Sequence, residues 1–195
     1  MSSILVVCTG NVCRSPMAEG FLRTALERRL GTDTPAVRSA GTAGWDGSGA
    51  MPESVQAARE RGSEIGGHVA RRLEPTMVEH AELLVCMATE HRDAITSWFP
   101  DAAARTFTLK ELARLLEHLG PLEGEAADPV ARVSAADQAR RSGFVGNPLD
   151  EDVVDPLGMP LESYRAIAWE LDEWCERVAE GLVGPVQVPV PREGP

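Results

Sequence analysis

Basic residues are scarce in this 195-residue chain: 19 lysines and arginines stand against 30 aspartates and glutamates, a formal net charge of −11. That balance argues against a generally basic nucleic-acid surface, although a local positive pocket is compatible with it. No apolar run approaches the ~20 residues that cross a bilayer. The first residues also lack a basic stretch ahead of an apolar run, so no secretory signal is expected. We therefore predict a cytoplasmic protein that binds neither nucleic acid nor membranes.

Cysteines are also few, and their spacing fits no structural metal site. Cys8, Cys13, Cys86 and Cys175 form neither a C-x-x-C pair nor a cysteine–histidine finger. A chain of this length buries about 70% of the surface that its unfolded form exposes, so it needs no disulfide or metal to fold. We expect free thiols, some of them reactive.

Short apolar segments alternate with helical patterns along the chain. The patterns predict strands over residues 4–7, 36–39, 83–87 and 105–109. They predict helices over 53–61, 89–98, 110–119, 130–141 and 161–182, and a first helix that starts at Pro16, with Ser15 as N-cap, and ends at Gly31. This alternation predicts an α/β fold, a single-domain open parallel four-stranded sheet with helices on both faces.

The first predicted strand runs into a loop that carries Cys8, Gly10 and Arg14 and leads into a helix. In open α/β sheets, ligands bind beyond the carboxyl ends of strands. A loop entering a helix there directs several backbone N–H groups into one concavity, which is an anion site. The Cys-x5-Arg spacing lets the guanidinium grip two oxygens of a tetrahedral oxyanion. The same positive field favours a Cys8 thiolate able to attack phosphorus. A buried structural thiol is the alternative interpretation, and the loop context disfavours it.

The sequence from Val7 to Glu19 resembles the active-site signature of low-molecular-weight protein tyrosine phosphatases. Four later segments resemble other parts of that family, so the resemblance extends over most of residues 4–182. These segments are Ser39–Thr42, His68–Leu73, Ala81–Met87 and Asp155–Pro156.

The resemblance implies three catalytic residues and no metal or cofactor. Cys8 would be the nucleophile that forms a phosphocysteine, and Arg14 would bind the phosphoryl group. Asp155 would protonate the leaving phenolate and then activate water, because an unprotonated oxyanion leaves poorly. Asp128 also precedes a proline, but its acidic surroundings indicate a solvated turn, and Asp155 is preferred.

The resemblance gives the rest of the loop binding and supporting roles. Ser15 would hydrogen-bond the thiolate, and Asn11 together with Ser39 would hold the loop in shape. The predicted phosphate- and substrate-binding residues are Thr9, Gly10, Asn11, Val12, Cys13, Ser15 and Trp45.

Several residues keep two interpretations. Cys13 resembles the family's second loop cysteine, which forms a reversible disulfide with the nucleophile, or it is a small packing residue. Trp45 either walls the pocket and stacks on a substrate ring or anchors its own Gly-rich loop. The histidines form no ligand spacing, so surface or packing roles are expected for His68, His80, His91 and His118.

The chain also departs from the family's pattern. The span before Asp155 is longer than in compact members, which predicts an insertion at about residues 120–150 within a domain over 1–183. A Pro-rich tail over 184–195 is expected to be disordered. Leu157 and Gly158 stand where eukaryotic-type members often carry aromatic residues, so a deep aromatic slot is not expected.

The preferred function is hydrolysis of phosphotyrosine on phosphorylated proteins by a monomer or weak dimer. Phosphoarginine is the alternative substrate. In the phosphoarginine phosphatases on the same scaffold, the position that matches Val12 resembles a threonine, whose hydroxyl can help to position water. Val12 offers only methyl groups, which favours phosphotyrosine. Arsenate reduction by a thiol relay needs a further cysteine between Cys86 and Cys175, and none is present. A catalytically silent binding module is disfavoured because all three catalytic residues are present.

Overall fold

The sheet has four parallel strands in the order β2-β1-β3-β4. A computed structural model describes residues 1–122, 128–144, 146–147 and 149–186. The strands are β1 (Ser3–Cys8), β2 (Ala36–Gly41), β3 (Leu83–Cys86) and β4 (Thr106–Thr108). In the register, Val7 of β1 pairs with Ala40 on one side and with Cys86 on the other. The predicted parallel sheet is confirmed, and its strand order changes direction beside β1, where open sheets bind ligands.

Helices cover both faces of this sheet, as predicted from the sequence. The described residues form α1 (Arg14–Leu30), α2 (Pro52–Glu60), α3 (Pro75–His80), α4 (Thr89–Trp98), α5 (Leu109–His118), α6 (Pro129–Arg141) and α7 (Leu161–Val183). Alternate β1 side chains point to opposite faces: Ile4 and Val6 join the larger core with α1, α5 and α7, whereas Leu5 and Val7 join the smaller core under α3 and α4.

The start of α1 differs from the prediction. The helix begins at Arg14, its N-cap position is Cys13, and no side chain caps it. Ser15 is therefore not the N-cap, because its hydroxyl is turned into the loop and contacts Cys8. The predicted end is confirmed: Gly31 follows the helix with a φ of 56°, a conformation that glycine adopts at little cost.

Other differences have local causes. The strand predicted over 105–109 stops at Thr108 because Thr108 and Glu111 form a capping box that starts α5 at Leu109. Asp128 is exposed, as expected, but its side chain also caps α6 by accepting from the N–H of Val130.

Part of the domain prediction concerns residues outside the described ranges. The acidic segment 123–127 and the end of the predicted tail, 187–195, lie outside the described residues, and the domain bounds stay a prediction. Within the described part of the chain, no helix has the length and apolar character that a membrane span requires.

Candidate active site

The loop between β1 and α1 surrounds the sulfur of Cys8. Cys8 is the last residue of β1 and is 2% exposed. Its Sγ lies 2.9 Å from the hydroxyl oxygen of Ser15 and 3.3 Å from the backbone nitrogen of Asn11, which donates to it. The sulfur therefore lies inside the concavity predicted from the sequence, with Ser15 beside it as expected.

Asn11 holds the loop in a strained conformation. Its φ of 57° is uncommon for a residue with a side chain, and such a conformation costs roughly 1–3 kcal/mol, which the surrounding contacts must offset. The side-chain amide donates to Ser15 Oγ at 2.9 Å and to Ser39 Oγ at 2.8 Å, and its oxygen accepts from the N–H of Arg71 at 2.9 Å. Ser39 in turn donates to Glu19 Oε2 at 2.6 Å. The structure thus brings Asn11 and Ser39 together, and it gives Glu19, the last residue of the signature, a supporting contact that the sequence analysis did not assign.

Arg14 connects this loop to the segment that carries Asp155. Its Nη2 lies 2.6 Å from Asp155 Oδ2 and donates to Thr9 Oγ1 at 3.2 Å, and its Nη1 donates to the carbonyl of Val153 at 3.1 Å. Its Nε is buried and has no hydrogen-bond partner within the described part of the chain. Residues 141 positions apart are therefore joined in one site.

The segment before Asp155 is fastened to the carboxyl end of β3. The N–H of Val153 donates to the carbonyl of Met87 at 2.8 Å, and Asp152 Oδ1 accepts from the N–H of Thr89 at 2.7 Å. These bonds place Asp155 over the same sheet edge as Cys8. Asp128 instead caps α6, so the structure keeps the two aspartate–proline pairs in separate roles.

A buried lysine on α5, Lys110, also anchors the segment that precedes Asp155. Lys110 of α5 lies 2.6 Å from Asp150 Oδ1 and 2.6 Å from Glu170 Oε1 of α7, and it donates to the carbonyl of Asp152 at 3.0 Å. Burial is the largest single influence on its pKa and lowers it, but the hydrogen bonds to the two carboxylates together raise that pKa. Lys110 therefore stays charged and holds three elements together.

The loop after β2 is bonded to the nucleophile loop along its backbone. Residues 42, 43 and 45 donate N–H groups to the carbonyls of residues 8, 9 and 10 at 2.9, 2.9 and 3.0 Å. A Cβ on Gly41 would lie 2.3 Å from the carbonyl oxygen of Thr9, so only glycine permits this approach. Trp45 is 48% exposed, and its indole Nε1 lies 3.6 Å from the position of a Cβ on Gly10. Trp45 thus stands beside the loop rather than away from it.

Cys13 lies on the buried side of the loop. Its Sγ is 3.9 Å from the hydroxyl of Tyr164, on α7. Burial raises the pKa of Cys13 to about 11, against the hydrogen bond with Tyr164 that lowers it. The thiol is therefore protonated near neutral pH, and its redox role stays a prediction.

Two histidines contact the loop, which the sequence analysis did not foresee. His68 Nε2 donates to the carbonyl of Asn11 at 2.8 Å, and His91 Nε2 lies 2.9 Å from Thr9 Oγ1. His91 is 1% exposed, on the first turn of α4. No spacing in the sequence indicates these contacts, because they depend on how separate elements meet.

Comparison with known proteins agrees with this geometry. Residues 3–141 match the family described as low molecular weight phosphotyrosine protein phosphatase. The chain belongs to this family. It is a phosphatase, and the family resemblance stated from the sequence is confirmed.

Individual members of the family are similar over most of the chain. A protein-arginine-phosphatase of Geobacillus stearothermophilus is 32% identical over 92% of this chain and 95% of its own length. The crystal structure of a low molecular weight protein tyrosine phosphatase from T. tengcongensis is 34% identical, covers 93% of this chain and 100% of its own, and superposes with a TM-score of 0.68. A YwlE arginine phosphatase variant with a phosphorylated active-site serine in place of cysteine is 30% identical, covers 92% and 95%, and gives a TM-score of 0.69.

Proposed function

We propose that this phosphatase hydrolyses phosphotyrosine on proteins through a phosphocysteine on Cys8. The observation that carries the proposal is the state of the Arg14 guanidinium. Nε and Nη2 form one edge of that group; Nε is buried without a partner within the described residues, and Nη2 is held by Asp155. Such an edge matches two oxygens of a phosphoryl group.

Binding of substrate exchanges one anion for another at Arg14. A phosphoryl group that takes Nε and Nη2 displaces the Asp155 carboxylate from Nη2. Asp155 is tied nearby, because its Oδ1 accepts from the N–H of Leu157 at 3.2 Å. The displaced carboxyl group therefore remains at the mouth of the site, where the leaving oxygen of the substrate is placed.

The first chemical step transfers the phosphoryl group to sulfur. The Cys8 thiolate forms an S–P bond as the P–O bond to the phenol breaks, and protonated Asp155 gives its proton to the departing oxygen. Arg14 and the loop N–H groups stabilise the charge on the equatorial oxygens. In the second step water attacks phosphorus, Asp155 accepts its proton, and the S–P bond breaks to release inorganic phosphate and the thiolate.

The apolar surroundings support an aromatic leaving group. Val12 is 3% exposed and presents methyl groups inside the loop, whereas Trp45 and Leu157 are exposed beside Gly10 and Asp155 respectively. Two exposed apolar side chains next to the catalytic set suit the faces of a phenyl ring.

Phosphoarginine is the second candidate substrate. It is favoured by the similarity to protein-arginine-phosphatase over 92% of this chain. Against it, the side chain of Val12 has no hydroxyl to assist water. The two substrates differ in the bond that breaks, P–O or P–N, so they are separable by direct assay.

The test is phosphate release from matched phosphotyrosine and phosphoarginine peptides. We expect the phosphotyrosine peptide to give the higher kcat/KM, with Cys8→Ser inactive. Mass spectrometry of Asp155→Asn, sampled during turnover of an aryl phosphate with an acidic phenol, should find the phosphoryl group on Cys8, because that phenol leaves without a proton whereas hydrolysis of the intermediate still lacks its base. A higher kcat/KM for phosphoarginine would reverse the assignment of substrate.

Matched variants control for unfolding. Asp128→Asn changes the other aspartate–proline pair and retains a good N-cap for α6, so it should keep full activity. Cys86→Ser changes another buried cysteine, on β3, and should retain activity wherever it remains folded. Equal losses in Asp128→Asn and Asp155→Asn would contradict the acid role.

A further inference from the structure

His91 is a buried imidazole in contact with the active-site loop that the proposed reaction does not use. Its Nε2 lies 2.9 Å from Thr9 Oγ1, the same oxygen that accepts from Arg14 Nη2 at 3.2 Å. Thr9 thus connects His91 to the guanidinium that binds substrate. The inference below rests on the proposed function, since it concerns how that site is set up.

The imidazole is neutral near pH 7. Burial, followed by the nearby charge of Arg14, lowers the pKa of His91 to about 4, against weaker opposite effects of Asp152 and Asp155. A neutral imidazole carries one N–H and one lone pair. Which nitrogen carries the hydrogen decides what the Thr9 hydroxyl can do.

The surroundings select the form with hydrogen on Nε2. Nδ1 is buried and has no hydrogen-bond partner among the residues described, and an orphaned buried N–H is costlier than an unused lone pair. Glu90 Oε1, an acceptor, lies 3.4 Å from Nε2. Hydrogen on Nε2 can be shared between Thr9 and Glu90, whereas hydrogen on Nδ1 would be buried without an acceptor and would leave Nε2 only to accept from Thr9.

This tautomer leaves the Thr9 hydroxyl hydrogen unused. A hydroxyl oxygen has two lone pairs, and Arg14 and His91 donate to both. The hydrogen of Thr9 must then be given to a different acceptor. Arg14 Nη2 contacts both Thr9 and Asp155, so an oxygen that replaces Asp155 on Nη2 is adjacent to that hydroxyl.

We propose that His91 is a positioning residue: its Nε2–H fixes Thr9 Oγ1, so that Thr9 holds Arg14 and directs its own hydrogen at the bound phosphoryl group. His91 acts through Thr9 and does not touch the substrate. Thr9 becomes a neutral side-chain donor to phosphate in a site otherwise built from backbone N–H groups and one guanidinium.

The first test is the tautomer in the wild-type protein. Nitrogen NMR of the labelled imidazole at pH 7 should assign the proton to Nε2. A proton on Nδ1 would overturn the proposal, because Thr9 would then donate to His91 instead of to phosphate. This measurement needs no variant and no substrate.

The second test is a double-mutant cycle with the phosphotyrosine peptide. Thr9→Val and His91→Phe should each lower kcat/KM about tenfold. The double variant should also lower it only about tenfold, because each substitution removes the same hydrogen bond between His91 and Thr9. His91→Gln, whose amide can donate from a similar reach, should stay within about threefold of wild type. A double variant with the product of the two losses, or full activity in His91→Phe, would refute the coupling.

Controls separate positioning from folding and from the reaction itself. His80→Phe alters an exposed histidine of α3 and should match the wild type. Affinity for inorganic phosphate, measured by calorimetry, should weaken by the same factor in Thr9→Val and His91→Phe, and unequal changes would count against the proposal. If the wild type hydrolyses neither phosphopeptide, the proposed function fails, but the phosphate affinities and the tautomer still decide the role of His91.

Discussion

The Nη2 atom of Arg14 lies 2.6 Å from Oδ2 of Asp155, so the residue assigned to bind phosphate and the residue assigned to move the proton hold each other. The Arg14 side chain is 5% exposed and that of Asp155 is 41% exposed. The guanidinium is therefore buried, whereas the carboxylate is partly exposed to solvent. This arrangement makes the carboxylate a competitor for the substrate's own site.

Removing that competitor should tighten the binding of inorganic phosphate. In Asp155→Asn the side chain keeps its size but loses its charge. A half-exposed ion pair is worth about 1 kcal/mol, which corresponds to a roughly fivefold lower inhibition constant or calorimetric Kd for phosphate. Asp128→Asn should leave phosphate affinity at the wild-type value, and weaker binding in Asp155→Asn would contradict the exchange.

The same variant should be slow in turnover. Loss of general acid–base catalysis typically costs about 100- to 10,000-fold, and we expect kcat for a phenyl phosphate ester to fall within that range. The loss should be smaller for esters whose phenol is more acidic, because such phenols leave without a proton. A loss independent of the leaving group would point to a structural defect instead.

Val12→Thr should shift substrate preference toward phosphoarginine. The two side chains have the same shape, and the new hydroxyl can orient water. We expect the ratio of kcat/KM for phosphoarginine to that for phosphotyrosine to rise about tenfold. Val133→Thr is the matched control, since both valines are 3% exposed but Val133 belongs to α6. Burying the hydroxyl should destabilise both variants, and only Val12→Thr should change the ratio.

The stability of the protein should fall at alkaline pH partly through Cys13. Burial raises the pKa of this thiol from 9.0 to about 11. Below pH 9 the folded and unfolded chains both hold the proton; between pH 9 and 11 only the unfolded chain releases it, so unfolding becomes easier as pH rises. The free energy of unfolding should lose about 2 to 3 kcal/mol more in wild type than in Cys13→Ala over that interval. Urea titrations at pH 8, 9, 10 and 11 measure the difference, and parallel curves would contradict the buried thiol.

The ion pairs that the buried Lys110 forms with partly exposed carboxylates should matter for both stability and rate. Lys110→Met leaves Asp150 and Glu170 without their cation, and because water reaches both carboxylates we expect a loss of about 1 to 2 kcal/mol, less than for a fully buried pair. Because the anchored segment carries Asp155, kcat should also fall, by about tenfold, with KM little changed. Arg59→Ala, which removes an exposed ion pair with Glu64, should leave kcat at the wild-type value.

Features that are encoded within one segment of the chain could be predicted from the sequence. Contacts between segments that meet only in the folded protein could not. The buried strand ending at Cys8, the Cys-x5-Arg spacing and the pattern of α7 are each contained in one segment, and each of these elements is present in the structure. Ser15 was misassigned as an N-cap because its local context fits a cap, whereas packing turns its hydroxyl to the sulfur. The contacts that Glu19 and His91 make carry no local signal, since their partners Ser39 and Thr9 are 20 and 82 residues away.

Three backbone hydrogen bonds connect residues 42–45, the loop that carries Trp45, to residues 8–10, the loop that carries Cys8. We expect the two loops to move together. The loop over residues 42–45 therefore cannot move outward to admit a bulkier group without breaking its hydrogen bonds to the loop that carries Cys8. We therefore expect that a different substrate would be accommodated by replacing a side chain such as Trp45, with the main chain beneath it unchanged.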